Sequence, residues 1–132
     1  MSIEHIRLSR QAQIQLITLK RRTGIEHWNV LCRWAFCVSL AEQSIPPDAD
    51  HAADSNVEMT WRVLGGPHAD LYWTLLKERC LTDGLETSEQ TLARHFRLHL
   101  HRGIAYLVGN PDLRTIRNLI SLALPVQGDH AA

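Results

Sequence analysis

The chain has 132 residues, of which 45% are hydrophobic and 21% are charged, values typical of one soluble globular domain. Its 14 Lys and Arg residues balance its 14 Asp and Glu residues. This balance excludes a uniformly basic coat for nucleic acid and leaves room only for a local basic patch.

The cysteines and the N-terminus bear on the cellular location. Cys32, Cys37 and Cys80 show no CxxC spacing, which disfavours a disulfide scaffold and a zinc ribbon. The N-terminus lacks a signal-peptide pattern, and no apolar run is long enough to span a membrane. We therefore expect residues 1–132 to form a single cytoplasmic domain without membrane contact.

The first predicted elements are a short strand and a helix. Residues Ile3–Leu8 alternate weakly between apolar and polar side chains, which favours a strand or an extended lead-in. Ser9 is a suitable N-cap for a helix over Arg10–Thr23, and Gly24 is suited to end it in a left-handed conformation.

The apolar surfaces of the first two helices predict an oligomer. The first helix has a second apolar stripe opposite its core stripe, although a small monomer needs only one. The second predicted helix, Glu26–Glu42, is apolar around nearly its whole circumference. Because so short a chain has few elements to surround it, we expect a homo-oligomer. The residues assigned to the core or the subunit contact are Ile14, Ile17, Trp28, Arg33, Trp34 and Phe36.

An acidic, proline-containing loop is predicted over residues 43–56, which we call the acidic loop. It contains Pro46, Pro47 and the aspartates Asp48, Asp50 and Asp54, without an apolar period. We expect these aspartates to solubilise the loop rather than to hold a cation.

The second half of the chain is predicted to be mostly helical. Residues Val57–Leu64 alternate with the period of a strand. Helices are then predicted over Ala69–Leu81, from a cap at Thr87 or Ser88 to Val108, and over Asp112–Leu124.

The last helix is predicted to turn four apolar residues inward, and residues 126–132 are expected to be a frayed tail. The four inward residues are Leu113, Ile116, Ile120 and Ala123.

The predicted fold class is thus mainly α: a compact bundle of about five helices with at most two short strands, its helices shared with partner subunits.

The histidines are the first candidates for chemistry. His95 and His99 have the i, i+4 spacing of a metal-chelating pair, but no HExxH pattern is present and the neighbouring arginines repel a cation. We expect a solvated face of His and Arg residues, which could also dock a partner. Since neither a nucleophile elbow nor a phosphate loop occurs, we predict no catalytic residues, no metal and no cofactor.

Basic residues cluster on the first helix. Lys20, Arg21 and Arg22 lie in its last turn and Arg10 in its first. They complement the helix dipole or increase solubility, and in several copies around one oligomer they could neutralise DNA phosphates.

Short motifs with a specific order and spacing identify a resemblance. They are Ile6-Arg7-Leu8-Ser9, Leu19-Lys20, Arg22-Thr23-Gly24-Ile25, Ala35-Phe36, Ser39-Leu40, Leu64-Gly65, His99-Leu100 and Arg102-Gly103-Ile104. With these motifs the chain resembles the DndE family, the small component of bacterial DNA phosphorothioation (DNA sulfur modification) systems.

The resemblance implies a mainly helical homotetramer that binds double-stranded DNA, with preference for nicked duplex. It also implies that the protein acts together with the sulfur-transfer proteins of that system and does not carry out the sulfur chemistry itself. Lys20 and Arg22 match the family pattern and are implied phosphate contacts, and Arg21 and Arg10 are added by position. Because the chain has only two lysines, arginines would supply most phosphate contacts.

Alternatives remain open at this point. The chain could be a nickase or nuclease of the same system, or an assembly scaffold that does not touch DNA. A ribbon–helix–helix repressor would pair the Ile3–Leu8 strands across a dimer. The acidic loop could also mask the basic cluster at Lys20–Arg22.

Overall fold

A computed structural model describes residues 5–124 and confirms the mainly α fold class. Within that range, five helices of eight residues or more accompany one short helix and one two-stranded sheet. The elements are β1 (His5–Arg7), α1 (Arg10–Thr23), α2 (Trp28–Ala41), β2 (Glu58–Thr60), α3 (Trp61–Gly65), α4 (Ala69–Thr82), α5 (Glu89–Gly109) and α6 (Ile116–Ala123), with a 3₁₀ turn at Gly66–His68. The start of the first predicted strand and the predicted frayed tail at 126–132 lie outside the described residues.

Helix α1 has the predicted bounds because both of its ends are set by local chemistry. The Ser9 side chain accepts a hydrogen bond from the backbone N–H of Ala12 at 3.1 Å. At the other end Gly24 adopts a φ of 77° and donates its N–H to the Lys20 carbonyl. The buried face of α1 carries Leu16 and Leu19, which are fully buried.

The core is organised around the close packing of α2 against α5. Leu31, Ala35 and Phe36 of α2 are fully buried against this neighbour, and Phe36 contacts Phe96 of α5 at a ring-centroid distance of 5.1 Å. Where the helices cross, an added Cβ on Gly103 would lie 1.7 Å from the carbonyl oxygen of Ala35. Only glycine permits this approach of the two backbones.

The strands differ from their prediction. β1 pairs antiparallel with β2 of the same chain, so that Ile6 lies opposite Met59. The ribbon–helix–helix interpretation expects β1 to pair with its own copy across a dimer, whereas its partner in the structure is β2 of the same chain. The predicted strand at Val57–Leu64 was also too long, because the Thr60 side chain accepts a hydrogen bond from the Val63 N–H at 3.1 Å and begins α3.

Helix α6 begins later than predicted. Thr115 and Asn118 form a reciprocal capping box, so the helix starts at Ile116 and not at Asp112. Of the four residues predicted to face inward, only Leu113 is buried in this chain, and Leu119 takes the inward position of α6. The other three are exposed: Ile116, Ile120 and Ala123.

Candidate nucleic-acid interface

The basic end of α1, formed by Lys20, Arg21 and Arg22, is the candidate site for an anionic ligand. The Lys20 Nζ lies 4.4 Å from the centroid of the Trp28 ring, a cation–π contact. Arg22 Nη1 donates to the Val108 carbonyl at 2.9 Å. Arg21 is exposed and makes no hydrogen bond or ion pair with any described residue. The fold thus orients two of these cations and gives the third no partner in the part of the chain that the structure describes.

Arg10 and Arg21 belong to one exposed stripe of α1. The four residues Arg10, Ile14, Ile17 and Arg21 follow one another at helical spacing, so that they share a face. Ile14 is 57% exposed and Ile17 is 48% exposed. This arrangement combines an apolar centre, suited to protein contact, with a cation at each end.

The other residues predicted for the core or subunit contact occupy different environments. Phe36 is fully buried, whereas Trp28, Arg33 and Trp34 are half-buried. Arg33 Nη1 donates to the Leu64 carbonyl at 2.8 Å, a structural contact within the chain. A surface cavity of about 420 Å³ opens at this face of α2, lined by Val30, Arg33, Trp34, Cys37, Tyr72 and Ala123.

The cysteines are free thiols. Cys32 and Cys80 are buried and Cys37 is exposed. Burial raises the pKa of Cys32 to about 12. Partial desolvation by the surrounding protein raises the pKa of Cys37 above its usual value, although the residue is exposed. Within residues 5–124 no three His, Cys, Asp or Glu side chains come together in a way that could hold a metal ion. No helix in this range is long and apolar enough to cross a membrane.

The solvated His and Arg face predicted on α5 is wrong, because much of that face is interior. Arg102 is buried and donates from Nη2 to the Ser39 carbonyl at 2.7 Å and from Nε to the Ser39 hydroxyl at 2.8 Å. The same hydroxyl lies 2.8 Å from Nδ1 of the buried His99. Arg79 Nη1 donates to the Leu40 carbonyl at 2.9 Å. The two arginines therefore satisfy carbonyls at the C-terminal end of α2.

His101 is equally structural. Its Nε2 accepts the backbone N–H of Ser9 at 3.3 Å, and its Nδ1 donates to the Arg97 carbonyl at 2.8 Å. The contact at Nε2 requires the neutral ring, because a protonated Nε2 cannot accept a hydrogen bond. Burial lowers the pKa of His101 to about 4 and that of His99 to about 3. In the sequence, His99 lies at helical spacing between Phe96 and Gly103, so these three residues share one side of α5. This spacing is the sequence signal that indicates an interior His99.

The acidic loop lies across α5 and the start of α1. Asp48 forms an ion pair with Arg94, and the Asp54 carboxylate accepts the backbone N–H of Arg10 at 2.7 Å. At a rise of 1.5 Å per residue, the basic end of α1 lies about 15 Å from Arg10. The hypothesis that this loop masks Lys20–Arg22 is therefore wrong.

Comparisons with known proteins agree on one family. The family model described as DNA sulphur modification protein DndE matches residues 5–115. The crystal structure of DndE from Escherichia coli B7A, involved in DNA phosphorothioation modification, is 26% identical with a TM-score of 0.68, over 81% of this chain and 98% of that chain. A DndE G21/24K mutant structure shares the fold at 20% identity and a TM-score of 0.62, over 81% of this chain and 100% of that chain. A comparison with curated protein sequences gave no significant match.

Proposed function

The chain belongs to the DndE family of DNA sulphur modification proteins, and we propose that it serves the phosphorothioation system by binding the backbone of double-stranded DNA, with preference for nicked duplex. The observation that carries this proposal is the basic end of α1. Arg21 is exposed and free of partners among the described residues, and Lys20 and Arg22 are oriented beside it. The protein works in the cytoplasm beside the other proteins of that system.

The contacts already made at this end leave donors for phosphate. A guanidinium carries five N–H donors, and Arg22 uses one nitrogen for the Val108 carbonyl. The Trp28 ring lies against the Lys20 ammonium, and the donors pointing away from the ring stay available to a phosphate. Holding both side chains in place reduces the conformational entropy lost on binding.

A homo-oligomer, proposed to be a tetramer, would turn this small patch into an effective surface. One chain has no net charge, so a single patch neutralises few phosphates. Ile14 and Ile17 form an exposed apolar pair on the same face as Arg21, so a partner copy seated on them would bring a second patch close. A nick makes the duplex easier to bend onto such a surface, which lowers the deformation energy that binding requires.

The test is the substitution Arg21→Glu, compared with Lys77→Glu as a matched control. Both residues are exposed, and both changes alter the charge by the same amount. In fluorescence anisotropy at moderate salt, Arg21→Glu should weaken duplex binding at least tenfold, about the effect of one lost contact plus one repulsive charge. Lys77→Glu should bind like the wild type. Equal affinities of the two variants would refute the assignment.

A further inference from the structure

A cavity of about 260 Å³ lies between the acidic loop and α5, away from the basic end of α1. Two of its lining side chains are the arginines Arg94 and Arg97. Arg94 lies 14 residues before Val108 on α5, which corresponds to about 21 Å of helix. This is a second basic centre on the chain. The full lining is Ala49, Asp50, His51, Ala93, Arg94, Arg97 and Leu98.

Carboxylates of the same chain form ion pairs with one arginine of this second basic centre. Arg94 is paired with Asp48, and its Nη1 lies 3.4 Å from Oδ1 of Asp50. The side chains of Asp48 and Asp50 are 81% and 96% exposed. Ion pairs between such exposed groups contribute little to stability and are screened by salt. An anionic oxygen from solution can therefore exchange with these carboxylates at low cost.

The loop itself is held by contacts that do not involve the two aspartates. Arg97 Nη2 donates to the His51 carbonyl at 2.7 Å, and the His51 ring stacks on His101 at a centroid distance of 4.0 Å. Beyond them, Ser55 donates its N–H to the Leu8 carbonyl at 3.1 Å. Removing the charges of Asp48 and Asp50 therefore exposes the Arg94 guanidinium without releasing the loop.

We propose that Arg94, supported by the charge of Arg97, is a second phosphate site, at which a DNA backbone phosphate replaces the carboxylates of Asp48 and Asp50. In the free protein the acidic loop imitates phosphate and lowers the affinity for DNA. This inference rests on the proposed DNA-binding function and adds a second contact and a competitor to it. The guanidinium suits a phosphodiester because it can donate two parallel hydrogen bonds to its oxygens.

The experiment neutralises the loop in the full chain with the double variant Asp48→Asn/Asp50→Asn. One added phosphate contact steepens the dependence of log K on log salt by about 0.9, so the affinity for intact duplex should rise about 8-fold at 0.1 M salt relative to the wild type and converge with it near 1 M. The matched control is Glu78→Gln/Glu86→Gln, which removes the same charge from exposed side chains that have no partner among the described residues. The affinity of this control for the duplex should rise much less.

The substitution Arg94→Gln locates the effect. It should abolish the gain in the Asp48→Asn/Asp50→Asn background and weaken binding much less in the wild-type background, where the carboxylates of Asp48 and Asp50 compete with phosphate for Arg94. A gain that survives Arg94→Gln, or that equals the gain of the control, would overturn the second site and leave DNA binding at α1 intact. Absence of DNA binding by the wild type and by all variants would instead overturn the proposed function together with this inference.

Discussion

The crossing of α2 and α5 predicts that Gly103→Ala destabilises the protein strongly. An added Cβ would lie 1.7 Å from the Ala35 carbonyl oxygen, 2.3 Å from its carbonyl carbon and 2.9 Å from its Cα. All three atoms are backbone, so no side-chain rotation relieves the clash. The helices must separate, which also stretches the hydrogen bonds of the neighbouring Arg102 to Ser39.

The magnitude follows from two opposing effects. Overpacking a core costs about 1–3 kcal/mol, and more where backbone has to move. The higher helix propensity of alanine offsets about 1 kcal/mol. Because the backbone has to move here, we take the overpacking cost as about 4 kcal/mol, above that range, which leaves a net loss of about 3 kcal/mol. This loss lowers the Tm by about 10 °C in a domain of this size.

Thermal unfolding followed by circular dichroism measures this effect, with Gly109→Ala on the same helix as control. An added Cβ at Gly109 meets no atom of residues 5–124 within 4 Å, so this variant should keep or slightly raise the Tm. Adding Ala35→Gly to Gly103→Ala should not restore stability, because the clash is with the backbone of Ala35. A Tm for Gly103→Ala within about 2 °C of the wild type, which is less than 1 kcal/mol, would refute the packing described for this crossing.

Three further predictions concern buried charge, pH and assembly. Replacing Arg102 with leucine should lower the free energy of unfolding in urea by about 3 kcal/mol, because buried carbonyl and hydroxyl groups lose their donor; an unchanged urea midpoint would contradict this. The pKa values of about 3 for His99 and about 4 for His101 lie below the unfolded value of 6.5, so the unfolded state binds more protons in acid. The contribution of these two histidines to the free energy of unfolding should be full above about pH 6.5, and below it the free energy should fall towards pH 4 by up to about 1.4 kcal/mol per pH unit for each histidine. An unchanged urea midpoint over that pH range would contradict the neutral, buried state of these rings. Ile14→Glu/Ile17→Glu should lower the mass seen by light scattering while leaving far-UV circular dichroism unchanged, since both residues are exposed within one chain; an unchanged mass would remove this stripe from the subunit contact.

Elements whose ends depend on neighbouring residues could be predicted from the sequence. α1 is the clearest case, since Ser9 and Gly24 determine its ends through short-range hydrogen bonds. The strand before α3 could not be bounded in this way, because its alternating apolar pattern continues past Thr60 although the Thr60 side chain caps a helix there. Two competing local signals were present, and the cap determined the structure.

Features that depend on distant parts of the chain could not be predicted. Arg102 looked solvated on a helix rich in His and Arg, yet it satisfies backbone groups at Ser39, which lies 63 positions away. The acidic loop was correctly expected to lack regular structure, but its charges neutralise Arg94 and not the basic end of α1. Arg21, in contrast, has no partner within residues 5–124 and is available for a phosphate contact, and its role stays a prediction.

Binding of the unmodified protein to one duplex in two forms, intact and singly nicked, is the most direct test of the proposed DNA-binding function. Fluorescence anisotropy at low and moderate salt gives both affinities and their salt dependence. We expect tighter binding to the nicked form and an affinity that falls steeply as salt rises, because phosphate neutralisation drives the association. Absence of binding to both forms at low salt would contradict it, and the chain would then be better regarded as an assembly component that does not touch DNA.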